Sequence, residues 1–204
     1  MKYFGIRELI PCVGGHCTCD AKLSRKNRQI IIQVPSEVVE NAIALVENVL
    51  DPLRMAYGKP IRVNSGYRCP MKNRAVNGVD QSQHLKGEAV DIAPAALKSQ
   101  DSWTSQAAEP SADFKAALEH LAEVLVEQGR FDQLIVYPTF LHVSYKRNGR
   151  NRGQILRRVN GGYRQLTADE LKGLRVSTAE NSKPISSKPS DKEVLSQLIV
   201  KSGK

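Results

Sequence analysis

The chain is poor in aromatic residues and lacks any apolar run long enough to cross a membrane. Aromatic residues make up 5% of the 204 positions, which argues against a large aromatic binding platform. A membrane-spanning helix needs about 20 consecutive apolar residues, and no segment approaches that length. With 41% hydrophobic residues, however, the chain can bury a core. The sequence therefore predicts a folded domain without a membrane span.

A secretory signal is also missing from the first ten residues, where Lys2, Arg7 and Glu8 interrupt the apolar stretch that a signal needs. We therefore expect the chain to be cytoplasmic as synthesised. Acidic residues are outnumbered, because 30 Lys and Arg against 21 Asp and Glu leave a net charge of +9. Such a surface attracts polyanions, whether nucleic acid, anionic lipid or the acidic polymers of a bacterial wall. Charge alone does not choose among them.

Paired Cys-x2-Cys knuckles, typical of structural zinc sites, are absent. Of the four cysteines, Cys12, Cys17 and Cys19 crowd together beside His16, and Cys69 stands alone. The cluster could hold a metal, but the simpler interpretation is a set of reduced thiols in a cytoplasmic protein.

Composition divides the chain into four segments. An irregular arm fills residues 1–35, and a core follows over residues 36–150 with a surface insertion at about 94–111. A basic extension is predicted for residues 151–175. From residue 176 to 204 the chain is rich in Ser, Lys and Pro, and we expect a disordered tail because this composition cannot build a core.

Apolar residues recur at helical spacing in two stretches of the core. The first is predicted to begin with Ser36 as its N-cap, to bend or shorten at Pro52 and to end at Gly58. The second is predicted from Ser111 to Gln128, with Gly129 as its stop. Further segments are predicted as a helical turn, Lys72–Val76, and as strands, Gln29 to Val34, Ile61 to Arg68, Glu88 to Ile92, Gln133 to Val136 and Phe140 to Tyr145. Together they predict a single α+β domain, a small antiparallel sheet with flanking helices.

Two histidines and an aspartate lie where this fold can bring them together. Between His84 and Asp91, Gly87 permits a sharp turn before the chain enters a strand. Ala89 shares the strand face of Asp91 and leaves room beside it. His142 lies in another predicted strand and can supply a third ligand. Two histidines and one aspartate leave a fourth tetrahedral position for water, as in catalytic zinc sites, and zinc lowers the pKa of that water from about 15.7 toward about 7.

Motifs around these residues are similar to those of a known family. In chain order they are Ser65-Gly-Tyr-Arg68, Asn73, Val76-Asn-Gly-Val79, Ser82-x-His84-x-x-Gly87-x-Ala89-x-Asp91-Ile92 and His142-Val-Ser144. The chain from Phe4 to Tyr145 thereby resembles the zinc D-alanyl-D-alanine carboxypeptidases, a family that also includes phage endolysins that cut cell-wall peptides. The resemblance implies that His84, Asp91 and His142 bind Zn²⁺.

The resemblance also implies two substrate-binding residues. The residue that matches Arg68 is placed to receive the terminal carboxylate of the substrate, and a guanidinium fork suits a carboxylate geometrically. Without the resemblance, a structural salt bridge would be the simpler interpretation of Arg68. Ser82 either hydrogen-bonds the substrate or shapes the turn before His84.

One departure concerns the general base. Members of the family usually carry an acidic residue about three positions before the last histidine, where this chain has Thr139. Glu88 is predicted to face away from Asp91 by strand alternation. The base is therefore unknown, and the nearest candidates are Tyr137 and Asp132.

Strand register separates these two candidates. An even hairpin loop pairs Ile135 with His142, which puts Tyr137 on the metal side and points Asp132 away. A tyrosine there can donate a hydrogen bond to an oxyanion, although ordinary core packing is the simpler interpretation of Tyr137.

The sequence is compatible with three candidate functions. The leading prediction is a zinc-dependent peptidase that hydrolyses D-alanine-containing bonds of bacterial peptidoglycan, as a carboxypeptidase or an endolysin-type endopeptidase. It would act on the wall after release or delivery. The alternative is a non-catalytic, zinc-containing module that binds peptidoglycan. Nucleic-acid binding through the basic stretch Lys146–Arg158 is disfavoured, because that stretch has no interleaved aromatic residues.

Overall fold

A six-stranded mixed sheet organises the computed structural model, which describes residues 1–11, 34–95 and 110–173. The strands are β1 (Ile61–Ser65), β2 (Ala89–Pro94), β3 (Gln133–Val136), β4 (Leu141–Ser144), β5 (Gln154–Val159) and β6 (Gly162–Leu166). Their order in the sheet is β1-β2-β4-β3-β5-β6. The α+β prediction is confirmed, as is the single domain.

The sheet differs from the prediction in size and in direction. Strand β5 pairs parallel with β3, so the sheet is mixed rather than antiparallel. Strands β5 and β6 lie in the segment that the composition suggested to be a basic extension, and they pair as a hairpin. Few sequence features indicate these strands, because the segment is rich in arginine and each strand has a single buried residue, Ile155 in β5 and Leu166 in β6.

The first long helical region has an irregular middle. It consists of α2 (Ser36–Leu45), a π-helical turn (Val46–Leu50) and α3 (Asp51–Tyr57), after the short N-terminal α1 (Ile6–Leu9). The turn ends two residues before Pro52, which cannot donate a backbone hydrogen bond. Pro35, rather than Ser36, takes the N-cap position, and Gly58 ends the region in the left-handed conformation.

Helix α4 (Pro70–Ala75) is short, and α5 (Ala112–Gln128) is the longest described helix. The Ser111 hydroxyl caps α5 by accepting a hydrogen bond of 3.2 Å from the backbone N–H of Phe114. Gly129 follows its last turn. The predicted apolar stripe of α5 is buried and packs against α3 and β2.

The two faces of the sheet have different roles. Val90, Leu141 and Leu134 are completely buried in the apolar core on one face. Because strand residues alternate between faces, their neighbours point to the other side. There Asp91 pairs with His142, which in turn pairs with Ile135. The register predicted for Ile135 is thus confirmed, and it aligns the candidate ligands in one row.

Several predictions lie outside the described residues. They concern the Cys12, Cys17 and Cys19 cluster, almost all of the strand predicted at Gln29 to Val34, most of the insertion at 94–111, and the tail from 176. Among the helices that are described, none has the length and apolar character required to cross a membrane.

Candidate metal centre

His84, Asp91 and His142 meet at the polar face of the sheet. His84 lies on a 3-10 turn (Gln83–Lys86) that leads through Gly87 into β2, where Asp91 lies. Gly87 adopts φ +70°, and a Cβ there would lie 2.4 Å from the carbonyl oxygen of Val38. Only glycine therefore permits the turn that brings His84 back over Asp91.

Three ligand atoms form a nearly equilateral triangle. Asp91 Oδ1 lies 3.0 Å from His142 Nδ1 and 3.2 Å from His84 Nε2. The two ring nitrogens are 3.1 Å apart. Within the described part of the chain, this is the group of His, Cys, Asp and Glu residues close enough together to hold a metal ion.

The donor set and its spacing fit zinc. Tetrahedral zinc with bonds of about 2.0–2.2 Å to nitrogen and oxygen separates its ligand atoms by about 3.3–3.6 Å. The observed triangle would need to open by only a few tenths of an ångström. Three protein ligands with one position left over are typical of catalytic rather than structural zinc sites.

His84 is oriented by the backbone of the Ser65–Arg68 motif. Its Nδ1 lies 2.7 Å from the carbonyl oxygen of Gly66, so Nδ1–H donates and the lone pair of Nε2 faces Asp91 and His142. Burial lowers the pKa of His84 below its ordinary value, which keeps the ring neutral near pH 7. A neutral imidazole held in one tautomer by a carbonyl is the form that binds a metal.

Asp91 is oriented by Arg68. The guanidinium Nη2 donates to Asp91 Oδ2, and Nε donates to the Ser65 hydroxyl at 2.9 Å. Burial acts to raise the pKa of Asp91, but its contacts with His142 and His84 outweigh burial and hold the pKa well below its usual range. The carboxylate is therefore ionised, with Oδ1 directed at the triangle.

Arg68 and Ser82 both line the cavity beside the triangle. The structure gives Arg68 a salt bridge to Asp91, with 12% of its side chain exposed, so its predicted role as a carboxylate receptor stays a prediction. Ser82 makes no side-chain cap on the turn. The predicted role of Ser82 in substrate binding therefore also stays a prediction.

The cavity has a volume of about 480 Å³. One side is formed by Val76–Val79, which Asn73 holds through a hydrogen bond of 2.9 Å from Nδ2 to the Val79 carbonyl. Another part of the lining is aromatic and consists of Tyr137, Phe140 and Tyr163. The triangle of His84, Asp91 and His142 lies in the same cavity.

The acidic candidate for the base, Asp132, does not line this cavity. Among the described residues that line it, Asp91 is the only carboxylate. Asp132 is completely buried and paired with Arg152. Burial acts to raise the pKa of Asp132, but the hydrogen bonds from Arg152 outweigh burial and lower the pKa. Thr139 lies in the β3–β4 turn, outside the cavity lining.

The Tyr137 side chain lines the cavity, and its ring also packs against a neighbouring aromatic ring. Its ring stacks on Phe140 with centroids 4.3 Å apart, and its hydroxyl lies 3.1 Å from that of Tyr163. Burial raises the pKa of Tyr137 far above its ordinary value, so the hydroxyl stays protonated. It can donate a hydrogen bond but cannot act as a base near pH 7.

Sequence reasoning missed Tyr163. This residue lies in β6, two positions after the Asn160-Gly161 turn of the β5–β6 hairpin. An Asn-Gly pair between two alternating segments is a strong hairpin signal, and it could have located the hairpin. The arginines around it instead suggested a basic extension.

Comparison with known proteins supplies one match. A family model described as Peptidase M15 matches residues 4–125, which is more than half of the chain. His84 and Asp91 lie inside the matched segment, whereas His142, Tyr137 and Tyr163 lie beyond it. No curated protein matches the chain.

Proposed function

We propose that this chain, which belongs to the peptidase M15 family, is a zinc-dependent hydrolase of D-alanine-containing peptide bonds in bacterial peptidoglycan. Members of the family are metal-dependent peptidases. The observation that carries the proposal is the His84, Asp91 and His142 triangle, which opens into a cavity large enough for a peptide.

In this proposal the chain holds Zn²⁺ through His84 Nε2, His142 Nδ1 and Asp91 Oδ1. When bound, zinc lowers the pKa of water and polarises a carbonyl, the two requirements of peptide hydrolysis. The Gly66 carbonyl and Arg68 keep the first histidine and the aspartate in the orientation that binding needs.

Tyr137 and Arg68 act on the substrate. The protonated Tyr137 hydroxyl donates a hydrogen bond to the oxygen on which negative charge develops. Arg68, whose Nη1 has no partner among the described residues, attracts the terminal carboxylate of the peptide. Ser82, which also lines the cavity, hydrogen-bonds the peptide backbone.

A non-catalytic peptidoglycan-binding module remains the second candidate. The observation in its favour is that the described residues lining the cavity include no carboxylate besides Asp91. A positioned general base contributes about 10²–10⁴-fold to such reactions. We therefore propose hydrolysis that is slow for this family, on a wall that the protein reaches after release or delivery from the cytoplasm.

The deciding experiment incubates the full-length protein with purified peptidoglycan, with zinc and with a chelator. We expect free D-alanine if the protein is a carboxypeptidase and cross-link peptides if it is an endopeptidase, in either case only with zinc. Re-addition of zinc after chelation should restore the product. Binding to peptidoglycan in a pull-down without any product would establish the binding module instead.

A further inference from the structure

Arg152, which lines the cavity, is held in position by the buried carboxylate of Asp132. Asp132 is completely buried, and its Oδ1 accepts from Arg152 Nε at 3.0 Å and from the Arg152 backbone N–H at 3.1 Å. Its Oδ2 accepts from Arg152 Nη2 at 2.6 Å. A half-exposed arginine is ordinarily mobile, but this two-pronged pair fixes its position.

The same carboxylate connects Arg152 to the metal centre. Oδ2 of Asp132 also accepts from Gln83 Nε2 at 3.2 Å, and Gln83 directly precedes His84 on the 3-10 turn. Lys146 Nζ lies 3.5 Å from Oδ1. Asp132, a residue considered as a base, is therefore a positioning residue that sets Arg152 relative to the triangle.

The anchoring leaves one edge of Arg152 available. Nε and Nη2 face Asp132, whereas Nη1 has no partner in the described part of the chain, and 47% of the side chain is exposed. The described lining of the cavity contains two arginines and one carboxylate, and that carboxylate is bound to Arg68. Arg152 therefore presents one guanidinium edge to the cavity, while its other edge is paired with Asp132.

We propose that Nη1 and the outer edge of the Arg152 guanidinium bind a second carboxylate of the substrate, besides the terminal one. This inference rests on the proposed function and adds a substrate class to it: the preferred ligand is an acidic wall peptide rather than a neutral one. A guanidinium edge matches the two oxygens of a carboxylate.

The test uses two synthetic peptides that end in D-Ala-D-Ala and contain one D-glutamate, with its carboxylate free or amidated. For the zinc-loaded full chain we measure Kd by titration calorimetry and kcat/KM by D-alanine release. Wild type should bind the free acid about tenfold to a hundredfold more tightly than the amide, the range expected for a hydrogen bond to a charged group.

Three variants make the test specific. Arg152→Gln should remove the preference by weakening the acid alone. Arg152→Lys keeps a cation for Asp132 and guards against misfolding, yet it lacks the free edge and should reduce the preference. Arg150→Gln is the matched control, because Arg150 is exposed two residues away and does not line the cavity. It loses the same charge and should keep the preference.

The outcomes separate the subsite from the enzyme. Equal Kd values for the two peptides in wild type, or equal effects of Arg152→Gln and Arg150→Gln, would refute the subsite. A preference that Arg152 controls without cleavage of either peptide would keep the subsite and refute the peptidase. Hydrolysis of both peptides without a preference would refute the subsite and support the peptidase. Failure to bind either peptide would refute the subsite and the proposed function together.

Discussion

Two walls of one cavity are held in different ways. In the metal wall, residues 65–91, the ligand side chains have fixed partners: the Gly66 carbonyl holds His84, and Arg68 holds Asp91. In the aromatic wall, residues 137–163, rings stack and a tyrosine hydroxyl pair faces the cavity. His142 on β4 completes the triangle between them.

The two walls therefore suit different tasks, metal binding and substrate binding. Ligand atoms buried behind hydrogen-bonded partners are pre-organised for a metal, because their orientation does not depend on a substrate. Tyr163 on the aromatic wall is 52% exposed, so this wall can adjust to a peptide. Changes in the metal wall should therefore alter zinc content, whereas changes in the aromatic wall should alter turnover at constant zinc.

The largest effect is expected for the double substitution His84→Ala, His142→Ala. Wild type should hold about one zinc per chain, the stoichiometry of such a site. The double variant should hold almost none and lose all peptide hydrolysis, as elemental analysis and a D-alanine assay will report. His120→Ala is the control, since His120 lies on α5 beside Tyr57. Normal zinc content in the double variant would mean that the ligands are other residues.

Tyr137→Phe tests the aromatic wall. It keeps the stacking on Phe140 and removes the hydroxyl, so kcat should fall by about 10²–10³-fold, as for loss of one oxyanion donor. Zinc content should stay at the wild-type value. Tyr163→Phe is the matched variant, which removes only the partner hydroxyl and should cost less. A rise in KM with unchanged kcat would show that Tyr137 binds the substrate without stabilising the transition state.

Gly87→Ala tests the turn within the metal wall. The new Cβ would meet the Val38 carbonyl oxygen at 2.4 Å and impose φ +70° on an alanine. We expect the free energy of unfolding to fall by about 3 kcal/mol or more, the range of backbone strain combined with overpacking. At Gly129, where φ is +65° and nothing lies within 4 Å, alanine should cost only about 1–2 kcal/mol. Equal losses in urea denaturation would contradict the close approach.

Arg68→Lys gives the smallest of these effects. Lysine keeps the charge but cannot contact Ser65 and Asp91 together, so zinc affinity should fall about 10–100-fold, as for other partners of metal ligands. Thermal stability should change little by comparison. Arg74→Lys, on the exposed side of α4, serves as the control in a competition assay with a chromogenic chelator. Unchanged zinc affinity would assign Arg68 to the substrate alone.

Local sequence patterns predicted much of the scaffold. Helix α5 begins and ends where a capping serine and a glycine stand, because caps satisfy backbone groups through neighbouring residues. The pairing of Ile135 with His142 followed from a short hairpin loop and strand alternation. Family membership followed from the motifs around His84 and Asp91. The roles of individual site residues stay predictions.

The remaining features of the fold and of the site depend on pairing between distant segments, which the sequence did not predict. The parallel pairing of β5 with β3 has no local signal, since it joins segments about 20 residues apart that differ in composition. The Asp132–Arg152 pair was hidden for the same reason. Asp132 suggested a base only while its partner was unknown, and the fold gives it Arg152, Lys146 and Gln83.

The sequence alone was enough to predict the α+β class, the principal helices and three residues suited to zinc, His84, Asp91 and His142. It could do so because helical periodicity, capping and glycine turns depend on residues that are near in the chain. Three contacts became visible only in the folded chain: Arg68 with Asp91, Tyr137 with Tyr163, and Asp132 with Arg152. Those contacts join residues 20 to 26 positions apart, and their partners are selected by how the sheet assembles rather than by any local preference.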